Sequence, residues 1–223
     1  MFTKAPSPLT NPFADFSVAA RYEDWYAGPG READELEKRL LAKLLACFPG
    51  AKTALEVGCG TGHCTRWLQE CGLRAIGLDL SWPMLLEARR LQSPPCLQGD
   101  ALALPFADRS IDLVALITTV EFVENPLRTL EEAVRVARQG LMLGVLNRRS
   151  LLVLQYRISG EDVWRAAHFY SVGELKRLVV QAAKGRFQSL RWRTTLWPIP
   201  HLPDLPVPWG GFIGLAAQFG EDT

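Results

Sequence analysis

Three glycines at alternate positions, Gly58, Gly60 and Gly62, follow a short apolar run that contains Glu56, and a stretch of helical spacing comes after them. Glycine lets the backbone take dihedrals closed to other residues and removes the Cβ that would hold a ligand off. Where such a loop enters a helix, the free amides of the first turn favour an anionic or strongly polar group. Asp79 ends a second apolar run about 20 residues past the first glycine, where a carboxylate meets the ribose hydroxyls of a nucleoside. The chemistry these residues suit is nucleoside binding at a strand–loop–helix turn. The plainer alternative is a structural turn with Asp79 as a helix-entry residue. Against it, interior glycines destabilise by about 0.5–1 kcal/mol each, and three are wasteful without a ligand.

Spacing narrows the ligand. The dinucleotide fingerprint requires a glycine one place after Gly62, and this chain has His63 there. The loop suits a nucleoside cofactor without a pyrophosphate better than a nicotinamide dinucleotide. Cys59, His63 and Cys64 lie together, but no second ligand pair follows at zinc spacing, so no metal site is expected. Five cysteines (Cys47, Cys59, Cys64, Cys71, Cys96) without regular spacing read as reduced thiols of a cytoplasmic protein.

The elements that must position these residues alternate. Leu36, Leu40, Leu41, Leu44, Leu45 and Phe48 recur at helical spacing over Glu32 to Phe48, and Pro49-Gly50 stops that helix. Strands are expected at Thr53 to Val57, Arg74 to Leu80, Pro95 to Gln98, Ile111 to Ile117 and Gly140 to Leu146. Helices are expected at Cys64 to Cys71, Pro83 to Leu91 (opened by Ser81) and Pro126 to Ala137. This order implies an α/β doubly wound sheet, mostly parallel, with helices on both faces. Ser171 caps a helix over Val172 to Ala183, with Glu174 completing a capping box. Phe187 to Trp197 and Phe212 to Phe219 read as a C-terminal antiparallel hairpin. The first ~20 residues read by composition as a loose lead-in, followed by the aromatic cluster Tyr22, Trp25, Tyr26.

The totals exclude several classes. At 48% hydrophobic and 22% charged the chain is an ordinary globular protein. Lys plus Arg is 25 against 24 Asp plus Glu, a balance that supplies no attraction for nucleic acid or an acidic membrane. No run approaches the ~20 apolar residues of a membrane span, and Met1 to Thr10 lacks the apolar centre of a secretory signal.

In these residues the chain resembles the class I S-adenosylmethionine-dependent methyltransferases, in particular the small-molecule group of ubiquinone/menaquinone-biosynthesis type. The blocks that carry the resemblance, in order, are Leu55 to Gly62, Gly77 to Leu85, Gly99 to Phe106, Asp108 to Val114 and Leu130 to Ala137. The resemblance implies a Rossmann-like fold, S-adenosyl-L-methionine as cofactor and a small-molecule acceptor. It implies that Glu56, Gly58, Cys59, Gly60 and Gly62 surround the methionine portion and that Asp79 holds the ribose. Leu80 and Met84 would lie toward the adenine, Asp100, Ala101 and Leu102 at its amino edge, Thr118 near the methionine end, and Tyr22 in an N-terminal segment closing over the site. As domains, it implies a single unit over residues 1–223. Residues 1–48 form a cap segment and helix, 51–146 a cofactor-binding core, and 147–223 an acceptor-side segment with the hairpin.

Two departures stand out. Relatives often carry histidines after the fourth strand, where this chain has Val120-Glu121-Phe122-Val123-Glu124. The Arg-Pro-Gly-Gly before the fifth strand is Arg138-Gln139-Gly140-Leu141. Glu121 and His168 remain as candidates for a catalytic base. Their plainer roles are a solvated carboxylate at a helix start and a structural histidine. Tyr156 and Arg157 are candidates to line the acceptor pocket. The loop Pro198 to Gly211 admits three roles: a lid, a homodimer contact, or packing on the hairpin. The expected function is methyl transfer to a small-molecule acceptor; a non-catalytic sensor or scaffold that keeps the cofactor pocket is the alternative.

Overall fold

A computed structural model describes residues 12–159, 162–198 and 202–220. Seven strands form one sheet: β1 (Thr53–Val57), β2 (Arg74–Asp79), β3 (Cys96–Gln98), β4 (Ile111–Ile117), β5 (Ala137–Leu146), β6 (Phe187–Thr195) and β7 (Phe212–Phe219). Their order is β3-β2-β1-β4-β5-β7-β6. The first five pair in parallel, whereas β7 runs antiparallel to both β5 and β6. β6 is therefore the outer strand of the hairpin, and β7 is interior.

Side chains alternate between the two faces. In β4, Val114 and Leu116 enter one core, while Leu113, Ala115 and Ile117 enter the other. All seven residues of β4 are buried, as a strand covered on both sides requires. Helices α5 (Pro126–Val136) and α8 (Val172–Ala183) cover the first face. Helices α2 (Arg31–Leu45) and α3 (His63–Glu70) cover the second, together with Val153 of α6 (Leu151–Ser159). Helix α4 (Trp82–Arg90) carries Pro83 in its first turn under a Ser81 cap, the hydroxyl accepting from Met84 N. The capping box of Ser171 and Glu174 is formed. The strand order reverses between β1 and β4, so the loops at the carboxyl ends of these strands splay apart and open a crevice.

Three segments depart from expectation. From residue 12 on, the lead-in is structured: a 3-10 turn at Pro12–Ala14, then α1 (Phe16–Ala27), capped by Asp15 accepting from Ser17 N; residues 1–11 lie outside the described residues. Only Ala19 of α1 is buried, so the helix carries little apolar periodicity to read. Helices α6 and α7 (Asp162–Ala166) are short and likewise lack a stripe. β5 begins at Ala137, ahead of the expected Gly140, because the pairing with β4 shifts register between Ile111 and Leu113. Among the described residues no helix is long and apolar enough to cross a membrane.

Candidate functional site

The glycine loop leaves the carboxyl end of β1 in left-handed backbone at all three glycines, with φ of +73° at Gly58, +53° at Gly60 and +79° at Gly62. A side chain at Gly58 would also collide with Thr119, whose Cγ2 stands 2.3 Å from the Cβ position. Gly62 is the N-cap of α3 and supplies no side chain to its first amides, leaving them free for a ligand. Asp79 fastens this loop. Its Oδ2 accepts from Gly60 N at 2.7 Å and its Oδ1 from Ser81 N at 2.7 Å. A carboxylate has about four lone-pair sites, so capacity remains for hydroxyl donors. Burial pushes the Asp79 carboxyl up from its usual range, against the amide hydrogen bonds.

Around this pair the expected residues divide. Leu80 is 59% exposed, an apolar side chain open to a ligand at the end of β2. Glu56 is buried and accepts from the Thr65 hydroxyl of α3; burial raises its carboxyl to about 8. Met84 is 1% exposed, its side chain inside the core under α4 rather than at the surface of the crevice. Asp100 is exposed and turns its carboxylate onto Leu102 N at 2.8 Å, while Ala101 packs on the core. Thr118 holds φ +49°, unusual for a β-branched residue, and its N–H donates to Gly144 O at 2.7 Å. Such strained backbone concentrates at functional sites.

Tyr22 of α1 lies over the loop: a Cβ on Gly60 would stand 4.0 Å from its ring. What holds α1 there is ionic and was not legible in the sequence. Glu23 accepts from Arg66 at 2.9 and 3.0 Å and from the Thr61 hydroxyl. His63 fills the position after Gly62. Its Nδ1 stands 3.5 Å from Glu23, its Nε2 2.9 Å from Asp34 of α2, and Tyr26 stacks on its ring at 3.7 Å. The residue that departs from the dinucleotide pattern thus joins three helices. Burial disfavours the Glu23 charge, yet hydrogen bonds from His63, Thr61 and Arg66 win and hold its carboxyl at about 2. Burial and the neighbouring Lys38 ammonium lower His63, but Asp34 and Glu23 win and raise it.

On the other side of the crevice, Glu121 is 1% exposed. It is no solvated helix-start carboxylate: its Oε1 accepts from Leu146 N at 2.7 Å, and among the described residues its buried Oε2 has no hydrogen-bond partner. Burial raises this carboxyl to about 7. Glu37 of α2 is close enough that the Glu121 charge helps lift its own carboxyl to about 8, after burial as the main cause. His168 N donates to Glu121 O at 2.7 Å, but the His168 side chain is exposed and lies against Tyr170 at 4.7 Å. The two candidates for a base are thus joined through backbone, while one side chain points into the protein and the other lies at its surface.

Aromatic rings continue from there: Phe13 meets Phe122 at 5.0 Å, Phe122 meets Trp164 at 6.4 Å, and Tyr156 stacks on Trp164 at 4.3 Å. Arg157 sits over Phe169 at 5.6 Å. The described part of the late loop pairs with the hairpin through Thr194 and Leu205, at 2.8 and 3.0 Å.

Known proteins share this fold. A family model described as a methyltransferase domain matches residues 55–144. An uncharacterized protein of Mycobacterium tuberculosis is 33% identical over 192 residues, covering 82% of this chain and 63% of that protein. The demethylmenaquinone methyltransferase of Renibacterium salmoninarum is 36% identical over 104 residues, 46% of this chain and 44% of that enzyme. The chain therefore spans less than two thirds of the length of these curated relatives. The crystal structure of an S-adenosylmethionine-dependent methyltransferase of Thermotoga maritima, described as a possible histamine N-methyltransferase, superposes with TM-score 0.75. It is 25% identical and covers 92% of this chain and 98% of that one. Residues 55–144 match the methyltransferase-domain family, and the Rossmann-like fold is shared with the S-adenosylmethionine-dependent methyltransferase structure of Thermotoga maritima.

Proposed function

We propose that this chain moves the methyl group of S-adenosylmethionine to a small-molecule acceptor by in-line displacement. The observation that carries the reading is the tie between Asp79 and the glycine loop, 2.7 Å to both Gly60 N and Ser81 N, beside the open first turn of α3. When bound, the cofactor supplies an electrophilic methyl on a sulfonium.

The residues fit it. Asp79 would take the ribose hydroxyls on its remaining lone pairs, and Leu80 would cover the adenine. Ala101, Leu102 and Asp100 would border its amino edge. Glu56, Gly58, Cys59, Gly60 and Gly62 would surround the methionine portion, with Thr118 at its end and Tyr22 above. Met84 would act from beneath, by supporting α4. The protein's main task is alignment and exclusion of water, worth up to about 7–11 kcal/mol in such reactions.

Where the acceptor is a protonated oxygen or nitrogen, Glu121 would accept the proton. Among the described residues its Oε2 is a buried acceptor without a partner, which is unfavourable unless a ligand donates to it. A carboxyl raised to about 7 is matched to proton transfer near neutrality. His168, exposed beside Tyr170, is the weaker candidate and would have to turn inward. The aromatic rings of Phe122, Tyr156 and Trp164 favour a planar or apolar acceptor body.

Calorimetry with S-adenosylmethionine, S-adenosylhomocysteine and NAD in parallel tests the reading. Binding of both sulfur nucleosides and not NAD is the expected result; binding of NAD alone would overturn it. Turnover in a small-metabolite extract separates the enzyme from the non-catalytic sensor, which binds and does not turn over.

A further inference from the structure

Cys59 lies inside the glycine loop and Cys96 opens β3. Between them is Gly77 of β2, the register partner of Cys96. A side chain at Gly77 has no room, because its Cβ would stand 2.6 Å from Cys59 Sγ and 2.8 Å from Cys96 Sγ. Two thiols therefore share one niche above a residue without a side chain, although their positions are far apart in the chain. All five cysteines are free in this structure. Cys96 is half-exposed and its thiol donates to Pro94 O at 3.1 Å; Cys59 is 5% exposed.

We propose that Cys59 and Cys96 are a dithiol–disulfide modification site, closed by a hydroperoxide, and that closure weakens S-adenosylmethionine binding. The second half rests on the cofactor reading above. The two thiols differ in the way the chemistry needs. The neighbouring Cys59 thiol lowers Cys96, while the nearby Cys96 and burial push Cys59 up. Cys96, the more accessible, is the attacking sulfur.

Its thiolate attacks the outer peroxide oxygen, the O–O bond breaks, and an alcohol leaves with a Cys96 sulfenic acid behind. Cys59 then attacks the Cys96 sulfur. The S–O bond breaks, and the hydroxide takes the Cys59 proton and leaves as water. In sum, two thiols are oxidised and one hydroperoxide is reduced to alcohol and water.

The consequence follows from where Cys59 sits. It is flanked by Gly58 and Gly60 in left-handed backbone, and the Gly60 amide is held by Asp79. A sulfur–sulfur bond of about 2.05 Å pulls Cys59 toward β3 and drags that amide off its carboxylate. By linkage, bound cofactor opposes closure by the same factor.

The experiment uses the full chain in a Cys71→Ser background, since Cys71 is exposed. Protein is treated with hydrogen peroxide, mapped for a Cys59–Cys96 cross-linked peptide, and titrated with S-adenosylmethionine before oxidation, after it, and after dithiothreitol. The expected result is that cross-linked peptide, an affinity at least about tenfold weaker, recovery on reduction, and no peroxide response in Cys96→Ser. Absence of the peptide overturns the pair, and a cross-link with unchanged affinity overturns the coupling. If the reduced protein binds no S-adenosylmethionine, the cofactor reading and the coupling fall together. The peptide map still decides the pair on its own.

Discussion

The two sides of the crevice are built from different material. On the β1–β3 side, carboxylates are closely engaged by amides, hydroxyls and a guanidinium: the Gly60 and Ser81 amides on Asp79, the Thr65 hydroxyl on Glu56, and Arg66 and the Thr61 hydroxyl on Glu23. On the side beyond β5, rings stack on rings, and the buried Glu121 keeps one oxygen without a partner. The first side is held in one arrangement by its own hydrogen bonds, as the proposed cofactor site requires. The second leaves an apolar wall and one unpaired acceptor, which suits a site whose polar partner arrives with the substrate. The difference teaches that binding and chemistry can be perturbed separately here.

The largest expected effect sharpens that separation. Glu121→Gln should lower kcat by about 10²–10⁴-fold while leaving S-adenosylmethionine affinity nearly unchanged, read by turnover and calorimetry on the same sample. The pH profile adds a second test. The carboxylate must be charged to accept a proton, and burial raises it to about 7. The rate should therefore fall as pH drops through about 7 in the native protein, and Glu121→Gln should lose that limb. A variant that weakens cofactor binding instead would break the division.

The mirror experiment is Asp79→Ala. It removes the acceptor of two backbone amides, and hydrogen bonds to a charged group contribute about 1.5–3 kcal/mol each. An affinity loss of about a hundredfold or more is expected by calorimetry, with an intact melting transition. An unchanged affinity would mean that the ribose is misplaced.

A smaller effect belongs to the ionic clasp of α1. Glu23→Gln leaves Arg66 and His63 without their charged partner; the two chains of the Arg66–Glu23 pair are each 26% exposed, so screening limits the loss. About 1 kcal/mol, a fivefold rise in cofactor release rate, is expected by stopped flow. His63 is raised above its ordinary 6.5 in the folded state. Its contribution is therefore fully present below 6.5 and is lost as pH rises through the raised value. Release should quicken on the alkaline side in the native protein, and less so in His63→Gln.

The smallest effect is far from both sides. Ser171→Ala breaks the capping box of α8 and should lower stability by about 1 kcal/mol, a Tm shift of about 2–4 °C in a chain of this size. Cofactor affinity should not move.

How legible these features were depends on how far apart their parts lie. The turn Gly58 to Gly62, Asp79, the Ser81 and Ser171 caps and most strands were readable, because glycine backbone, capping hydroxyls and apolar period act over a few residues. Helix α1 was hidden, since its stability comes from contacts to α3 and α2 rather than from a stripe of its own. The plainer reading of Glu121 as a solvated helix-start carboxylate failed for the same reason, and the depth of Met84 was hidden likewise. Burial is decided by what the rest of the chain lays over a position, and local pattern carries little of that.

By itself, then, the sequence determined the alternating elements, the glycine turn with Asp79 behind it and the doubly wound fold they build. The tertiary structure decided that Glu121 is buried with one oxygen unpaired among the described residues, that His63 ties α3 to α1 and α2, and that Cys59 meets Cys96 over Gly77. Those facts depend on side chains brought together from distant parts of the chain, where only packing and the desolvation it brings set what each group can do.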